Sequence, residues 1–102
     1  MMTHTIRVAL PFHLQTLSRT TGEVELTVAD PVTPHTVVDA LERQYPMLCG
    51  TVRDHVTRQR RAFLRYFVCQ RDISHEDVHA ELPPEILSGK EPFIIWGALS
   101  GG

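Results

Sequence analysis

The residues with the clearest chemical potential stand at the end of the sequence, in the run FIIWGALSGG that closes with Gly101 and Gly102. As a terminus, Gly102 would carry an α-carboxylate, which at a reference pKa of about 3.3–3.7 is an unreactive anion at neutral pH. Activation by ATP as an acyl-adenylate would make it an acyl donor, and a sulfur donor could then convert it to a thiocarboxylate. Glycine has no Cβ and adopts extended backbone freely, so it suits a tail that enters a narrow active site. We therefore expect Gly102 to be the reacting residue, delivered by Ser100 and Gly101.

A second stretch, His75-Glu76-Asp77-Val78-His79, matches the H-E-x-x-H pattern of zinc proteases. That pattern functions on a helix, where residues i and i+4 share a face. Here it lies in an acidic segment closed by Pro83-Pro84, in a chain too short for a protease scaffold and without an obvious third ligand. We expect a solvated loop at this position and no metal site.

Arginines dominate one part of the sequence and acids the next. Residues 53–71 contain six arginines and one acid, whereas residues 72–91 contain six acids and one base. The stretch TRQRRAFLR could suggest RNA binding, but the net charge of -2 and the acidic neighbour argue against nucleic acid. A solvated loop is the simplest interpretation. The alternative is a basic rim of Arg58, Arg60 and Arg61 that docks an acidic partner and raises its association rate.

The roles of two aromatic residues and one cysteine depend on whether the fold buries or exposes them. Phe67 and Trp96 are more often core residues, but if partly exposed near the tail they would anchor a partner protein, together with Leu99. Cys69 stands within a strand pattern without a partnered histidine, so we expect a buried, inert thiol.

Hydrophobic periodicity predicts the strands and the helix that position these residues. TIRVALP and GEVELTVAD alternate and predict two strands, joined by a polar turn from Phe12 to Thr21. VTPHTVVDALERQYP predicts a helix that begins at Pro34, with Thr33 as its N-cap, and that ends before Pro46. Glu42 lies outside the apolar stripe of this predicted helix. FLRYFVC predicts a third strand by its β-branched and aromatic content.

FIIWGAL is apolar on both faces, which is typical of a central strand covered on both sides. The predicted order is therefore β-β-α-β-β plus short turns. The simplest closure places the last strand beside the first in a mixed sheet, with the helix across one face. The predicted fold class is α+β, in the ubiquitin-like β-grasp arrangement.

The whole chain resembles the MoaD/ThiS family of ubiquitin-like sulfur-carrier proteins, which end in Gly-Gly. TIRVALP matches the opening strand and GEVELTVADPVTPHTVVDALERQYPML the hairpin-to-helix segment. RYFVCQRDISHEDVHAEL matches the strand and turn that follow, and LSGKEPFIIWGALSGG the closing strand and tail.

The resemblance implies a protein cosubstrate that is not itself an enzyme and binds no cofactor. An E1-like adenylating enzyme would use ATP to activate Gly102, a sulfur donor would thiolate it, and an acceptor enzyme would take the sulfur. Molybdopterin synthesis is the favoured pathway, as the small subunit of a molybdopterin synthase. Thiamine, cysteine and secondary-metabolite routes are the alternatives. The rival classes are a non-covalent β-grasp interaction module whose tail is merely frayed, and a covalent ubiquitin-like modifier that joins Gly102 to an acceptor amine.

Size and composition agree with this interpretation. The 102 residues predict a single domain over 1–102, with a flexible tail at 99–102. Two cysteines are too few for a disulfide scaffold. We find neither a secretory signal nor the roughly 20 apolar residues that span a bilayer, so we expect a cytoplasmic protein without membrane association.

Overall fold

The computed structural model describes residues 2–97, over which five strands and three α-helices follow one another. The first half contains β1 (Thr3–Ala9), α1 (Phe12–Ser18), β2 (Glu23–Ala29) and α2 (Pro34–Gln44), and then a 3₁₀ turn at Pro46–Leu48. The second half contains β3 (Leu64–Val68), β4 (Arg71–Asp72), α3 (Pro84–Leu87) and β5 (Phe93–Gly97).

The strands form one mixed sheet in the order β2-β1-β5-β3-β4. Strand β5 lies parallel to β1, with Val8 opposite Phe93, and antiparallel to β3, with Leu64 opposite Gly97. The prediction that the last strand lies beside the first in the middle of the sheet is therefore confirmed. Residues of α2 share one hydrophobic core with the inward faces of the strands. The fold class is α+β and the architecture is the β-grasp.

Helix α2 forms where its capping residues predict. The Thr33 hydroxyl accepts a hydrogen bond from the Thr36 backbone N–H at 3.1 Å, and the Thr36 hydroxyl accepts one from the Thr33 N–H at 2.9 Å. This reciprocal pair satisfies two backbone donors at the helix start, and Pro34 at the first position needs no partner for a missing N–H.

The prediction of a simple turn from Phe12 to Thr21 is wrong, because helix α1 fills most of this connection. Leu14 is buried in the core, and the Gln15 side chain bridges the two ends of the segment. Its amide donates to the Leu10 carbonyl at 2.7 Å, and its carbonyl accepts from the Gly22 N–H at 2.9 Å. A helix of seven residues buries too few apolar positions to show a clear period.

Two burial predictions are also wrong. Strand β5 is not covered on both faces: Phe93 and Ile95 are buried, but Trp96 is 50% exposed, because the helix covers only one side of the sheet. Cys69 is exposed rather than buried. It lies in the tight turn between β3 and β4 with a φ of 50°, in the left-handed region, and so does not continue the strand.

A buried ion pair joins α2 to the long segment that follows it, residues 51–62, which we call the arginine segment. Arg53 is 2% exposed, and its guanidinium donates to both Glu42 carboxylate oxygens, at 3.2 and 3.0 Å. It also pairs with Asp39 one turn earlier on the helix. The prediction that Glu42 lies outside the buried face is therefore wrong: Glu42 is buried because a charged partner from a distant segment satisfies it.

We expect Arg53→Leu to lower the free energy of unfolding by about 3 kcal/mol, because the Glu42 carboxylate would stay buried without its partner. The double variant Arg53→Leu/Glu42→Leu should recover at least half of that loss, since it removes the second buried charge as well. Urea unfolding measures both. Arg43→Leu on the exposed side of the same helix is the control and should change little. Equal midpoints for Arg53→Leu and Arg43→Leu would show that the buried pair is not required.

Candidate functional site

The central strand determines where the chain leaves the sheet. Gly97, the last described residue, pairs with Leu64 of β3 at the end of β5. The predicted site residues Leu99, Ser100, Gly101 and Gly102 lie outside the described residues. The structure therefore places Gly97, the last described residue before these, through the backbone pairing of β5 with β3.

The open face of the sheet carries an aromatic patch, which we define as Phe67, Ile94 and Trp96. Phe67 and Trp96 lie on neighbouring strands, and their rings meet edge to face with centroids 5.8 Å apart and planes at 84°. Ile94 is half-buried beside them. The patch lines a shallow hollow of about 300 Å³ that Cys69 also borders. The two aromatic residues that the sequence singled out thus lie together, on the surface rather than in the core.

Two exposed aromatic residues near the tail were missed by the sequence analysis. Phe63 is 59% exposed and immediately precedes Leu64, the partner of Gly97. Phe12 is 73% exposed and follows β1, whose Ala9 pairs in parallel with Ile94. The register therefore puts both at the end of the sheet where β5 ends. The sequence predicted that the last strand lies beside the first, and the parallel direction of that pairing is what brings Phe12 to this end.

The three arginines proposed as a docking rim have different surroundings. The guanidinium of Arg61 donates to the Gly50 carbonyl at 2.8 Å and lies 3.8 Å from the Asp54 carboxylate. The guanidinium of Arg58 lies 3.5 Å from Glu42. Arg60 donates to three backbone carbonyls and has no carboxylate partner among residues 2–97. The structure does not bring the three side chains into one uniform basic surface.

The H-E-x-x-H segment forms a loop of turns, as predicted, and not a helix. The His79 ring packs on His35 of α2, with ring centroids 4.8 Å apart. Within the described chain, no group of three or more His, Cys, Asp or Glu side chains is placed to hold a metal ion. None of the helices over residues 2–97 is long and apolar enough to cross a membrane.

Electrostatics around α2 favour the charged form of Asp39. Partial burial disfavours that form, but the hydrogen bond from Arg53 and the charges of Arg53, His35 and Arg58 outweigh the burial. Together they hold the pKa of Asp39 below its usual value of 3.8. The carboxylate therefore stabilises the fold above pH 3.8, and this contribution is lost as the pH falls through the lower folded-state pKa.

No protein-family model and no curated protein matches the sequence. Solved structures do. The crystal structure of SAMP1, small archaeal modifier protein 1, from Haloferax volcanii has a TM-score of 0.73 and 14% identity, over 96% of this chain and 99% of that one. SAMP1 from Methanosarcina acetivorans has a TM-score of 0.70 and 18% identity, over 100% of both chains. A chain of the Amycolatopsis orientalis BexX/CysO complex has a TM-score of 0.70 and 18% identity, over 94% of this chain and 98% of that one.

These likenesses cover nearly the whole chain and confirm the ubiquitin-like β-grasp fold. The structural neighbours are ubiquitin-like β-grasp proteins of the carrier and modifier kind, which is the resemblance that the sequence suggested. At identities of 14–18% they establish the fold and not the reaction.

We expect Asp39→Asn to be less stable than the wild type at neutral pH and to approach it as the pH falls below 3.8, because the wild type then loses the same charge. Urea unfolding at steps from neutral pH to about pH 2 measures the difference. Glu81→Gln, which removes an exposed carboxylate that makes no ion pair within residues 2–97, is the control. A stability gap between Asp39→Asn and wild type that stays constant at every pH would contradict the linkage.

Proposed function

We propose that this chain is a sulfur-carrier protein, a cosubstrate whose Gly102 carboxylate is adenylated, thiolated and then used as a sulfur source. The observation that carries the proposal is a β-grasp fold whose central strand, β5, ends at Gly97, shortly before the Gly-Gly sequence. The fold likeness to CysO and to the SAMP1 proteins supports a carrier or modifier rather than an enzyme.

The proposed reaction needs two steps, and partner proteins supply the reagents. A carboxylate oxygen of Gly102 attacks the α-phosphorus of ATP and displaces pyrophosphate, which gives an acyl-adenylate. A hydrosulfide ion released by the donor then attacks the carbonyl carbon, so that a C–S bond forms, the bond from that carbon to the AMP oxygen breaks, and AMP leaves with the thiocarboxylate as product. The carrier itself contributes the reacting carboxylate and no resident cofactor, and the adenylating enzyme binds the ATP that is consumed.

The aromatic patch is the surface that we assign to the adenylating partner. Trp96 is one residue before Gly97 on the strand that leads to the tail, so an enzyme that takes in the tail comes close to this face. Exposed Trp and Phe side chains bury large apolar areas on binding and often dominate interface energies. Phe63 and Phe12, at the same end of the sheet, would extend the contact, together with Leu99.

Molybdopterin synthesis is the pathway we propose first, because the length of the chain is nearer to that branch than to the shorter thiamine carriers. Thiamine, cysteine and secondary-metabolite sulfur routes are the alternatives. The CysO structure comes from a complex with BexX, which supports the general idea that such a carrier works bound to partner proteins.

The second candidate function is that of a covalent modifier, which two neighbours named as small archaeal modifier protein 1 favour. It would use the same activated Gly102, but an amine of a target protein would displace AMP and form an isopeptide bond. The two functions therefore differ in the nucleophile and not in the carrier residue.

We expect the intact chain, incubated with ATP, a sulfur source and an adenylating enzyme of its own organism, to gain the mass difference between sulfur and oxygen. Deletion of Gly102 or addition of one alanine after it should abolish the gain, and Gly101→Val should slow it, because a β-branched side chain restricts and widens the tail. Thermal unfolding should match the wild type in all three. Thiolation of the truncated chain at the wild-type rate would exclude this reaction, and cross-linked high-mass bands would favour the modifier.

Trp96→Ala and Phe67→Ala should each lower the thiolation rate at limiting enzyme by about tenfold, because each removes an anchor from the docking face. Met47→Ala, which truncates an apolar side chain of similar exposure in the 3₁₀ turn, is the control and should react like the wild type. Thermal unfolding of each variant separates lost docking from lost structure. Equal rates for the patch variants and Met47→Ala, at equal stability, would remove the patch from the interface.

A further inference from the structure

A cleft of about 510 Å³ lies between the arginine segment and the loop that contains His79. It has no part in sulfur carriage as proposed above. Its lining includes two arginines, two histidines and one glutamine: Arg58, Arg60, His35, His79 and Gln59. No Asp or Glu lines it, although the sequence from residue 72 to residue 91 has six acids. The cleft is therefore rich in hydrogen-bond donors and poor in negative charge.

Arg60 is the residue that makes this cleft unusual. Its Nε donates to the Ser74 carbonyl at 3.1 Å, and its Nη1 donates to the carbonyls of Arg61 and Leu64, at 3.0 and 2.6 Å. These bonds hold the guanidinium rigidly and use three of its five donors. The two Nη2 hydrogens have no acceptor in the described chain, and no carboxylate there balances the charge. A fixed, half-buried and uncompensated cation is a preorganised anion site.

The other donors are less constrained. Arg58 is half-exposed, and its Nη1 lies 3.5 Å from a Glu42 oxygen and 3.7 Å from an Asp39 oxygen. Those two carboxylates are already bound by Arg53. The Gln59 side-chain amide and the His79 ring nitrogens make no hydrogen bond within residues 2–97. By contrast, His35 is engaged on both sides, 3.3 Å from Arg53 and 3.3 Å from Asp39.

We propose that this cleft binds a tetrahedral dianion, a phosphate or sulfate group, with Arg60 and Arg58 as its charged ligands. Charge-assisted N–H donors bind such oxyanions strongly, and the Nη2 donors of Arg60 lose little entropy on binding because the rest of the guanidinium is already held. The Gln59 amide and the His79 ring supply further donors. The volume lies within the range of small-molecule sites, so the group can be free or carried by a small molecule such as a nucleotide.

The test is a titration of the isotope-labelled full chain with sodium sulfate at constant ionic strength. Amide and side-chain chemical shifts are measured by NMR at each step. Sulfate stays doubly charged from acid to neutral pH. A change in chemical shift therefore reflects the protein and not a change in the charge of the ligand. We expect saturable shifts confined to the arginine segment and the loop at 73–80, with a dissociation constant of roughly a millimolar. Inorganic phosphate and ATP are the further arms. Tighter binding of ATP at the same residues would identify a nucleotide-borne phosphate, and equal binding would identify the oxyanion alone.

Arg58→Gln should weaken sulfate binding by about tenfold, because a charge-assisted donor is lost. Gln59→Ala should weaken it by a smaller factor without changing any ion pair. Arg61→Gln is the matched control, since Arg61 is similarly exposed in the same segment and does not line the cleft. Shifts that rise linearly without saturation would overturn the proposal. So would equal weakening by Arg61→Gln and Arg58→Gln, which would indicate unspecific attraction to a basic segment.

Discussion

Strand β5 is the constraint on which the rest of the sheet depends. The chain builds two antiparallel pairs, β1 with β2 and β3 with β4, and in the order β2-β1-β5-β3-β4 only β5 joins them. Its pairing is parallel on one edge and antiparallel on the other, so both halves are fixed by one strand late in the sequence. A segment paired on both edges has a defined position, and this holds for β5 from Phe93 to Gly97.

The sheet has one covered face, and this asymmetry produces the candidate docking surface. Helix α2 and its neighbours cover the side that carries Phe93 and Ile95, so alternate residues of β5 project to the open side. There Trp96 meets Phe67 of the adjacent strand. Contiguous apolar surface of this kind marks interaction sites on soluble proteins, which is the physical basis for assigning it to binding.

The buried Arg53 has a structural consequence beyond its own ion pairs. Desolvating a guanidinium and a carboxylate is expensive, and the cost is met only when their hydrogen bonds are complete. Arg53 satisfies Glu42 and Asp39 and thereby ties the arginine segment to α2. With these acids engaged, Arg60 remains without a carboxylate partner in the described chain, next to a cleft that no acid lines. The ion pairs of Arg53 therefore fix the segment that forms one side of the cleft.

The sequence by itself determined the features that depend on local periodicity and on residue type. Alternation places Ile6, Val8, Val24, Leu26 and Val28 inside, and the Thr33–Pro34 start fixes α2, because such patterns report which face of an element is buried. Tertiary structure alone decided the burial of Glu42, whose partner Arg53 is 11 residues away, and the exposure of Trp96 and Cys69. The sequence pattern around a residue does not show which distant segment will pack against that residue. It also does not show whether any segment will cover it.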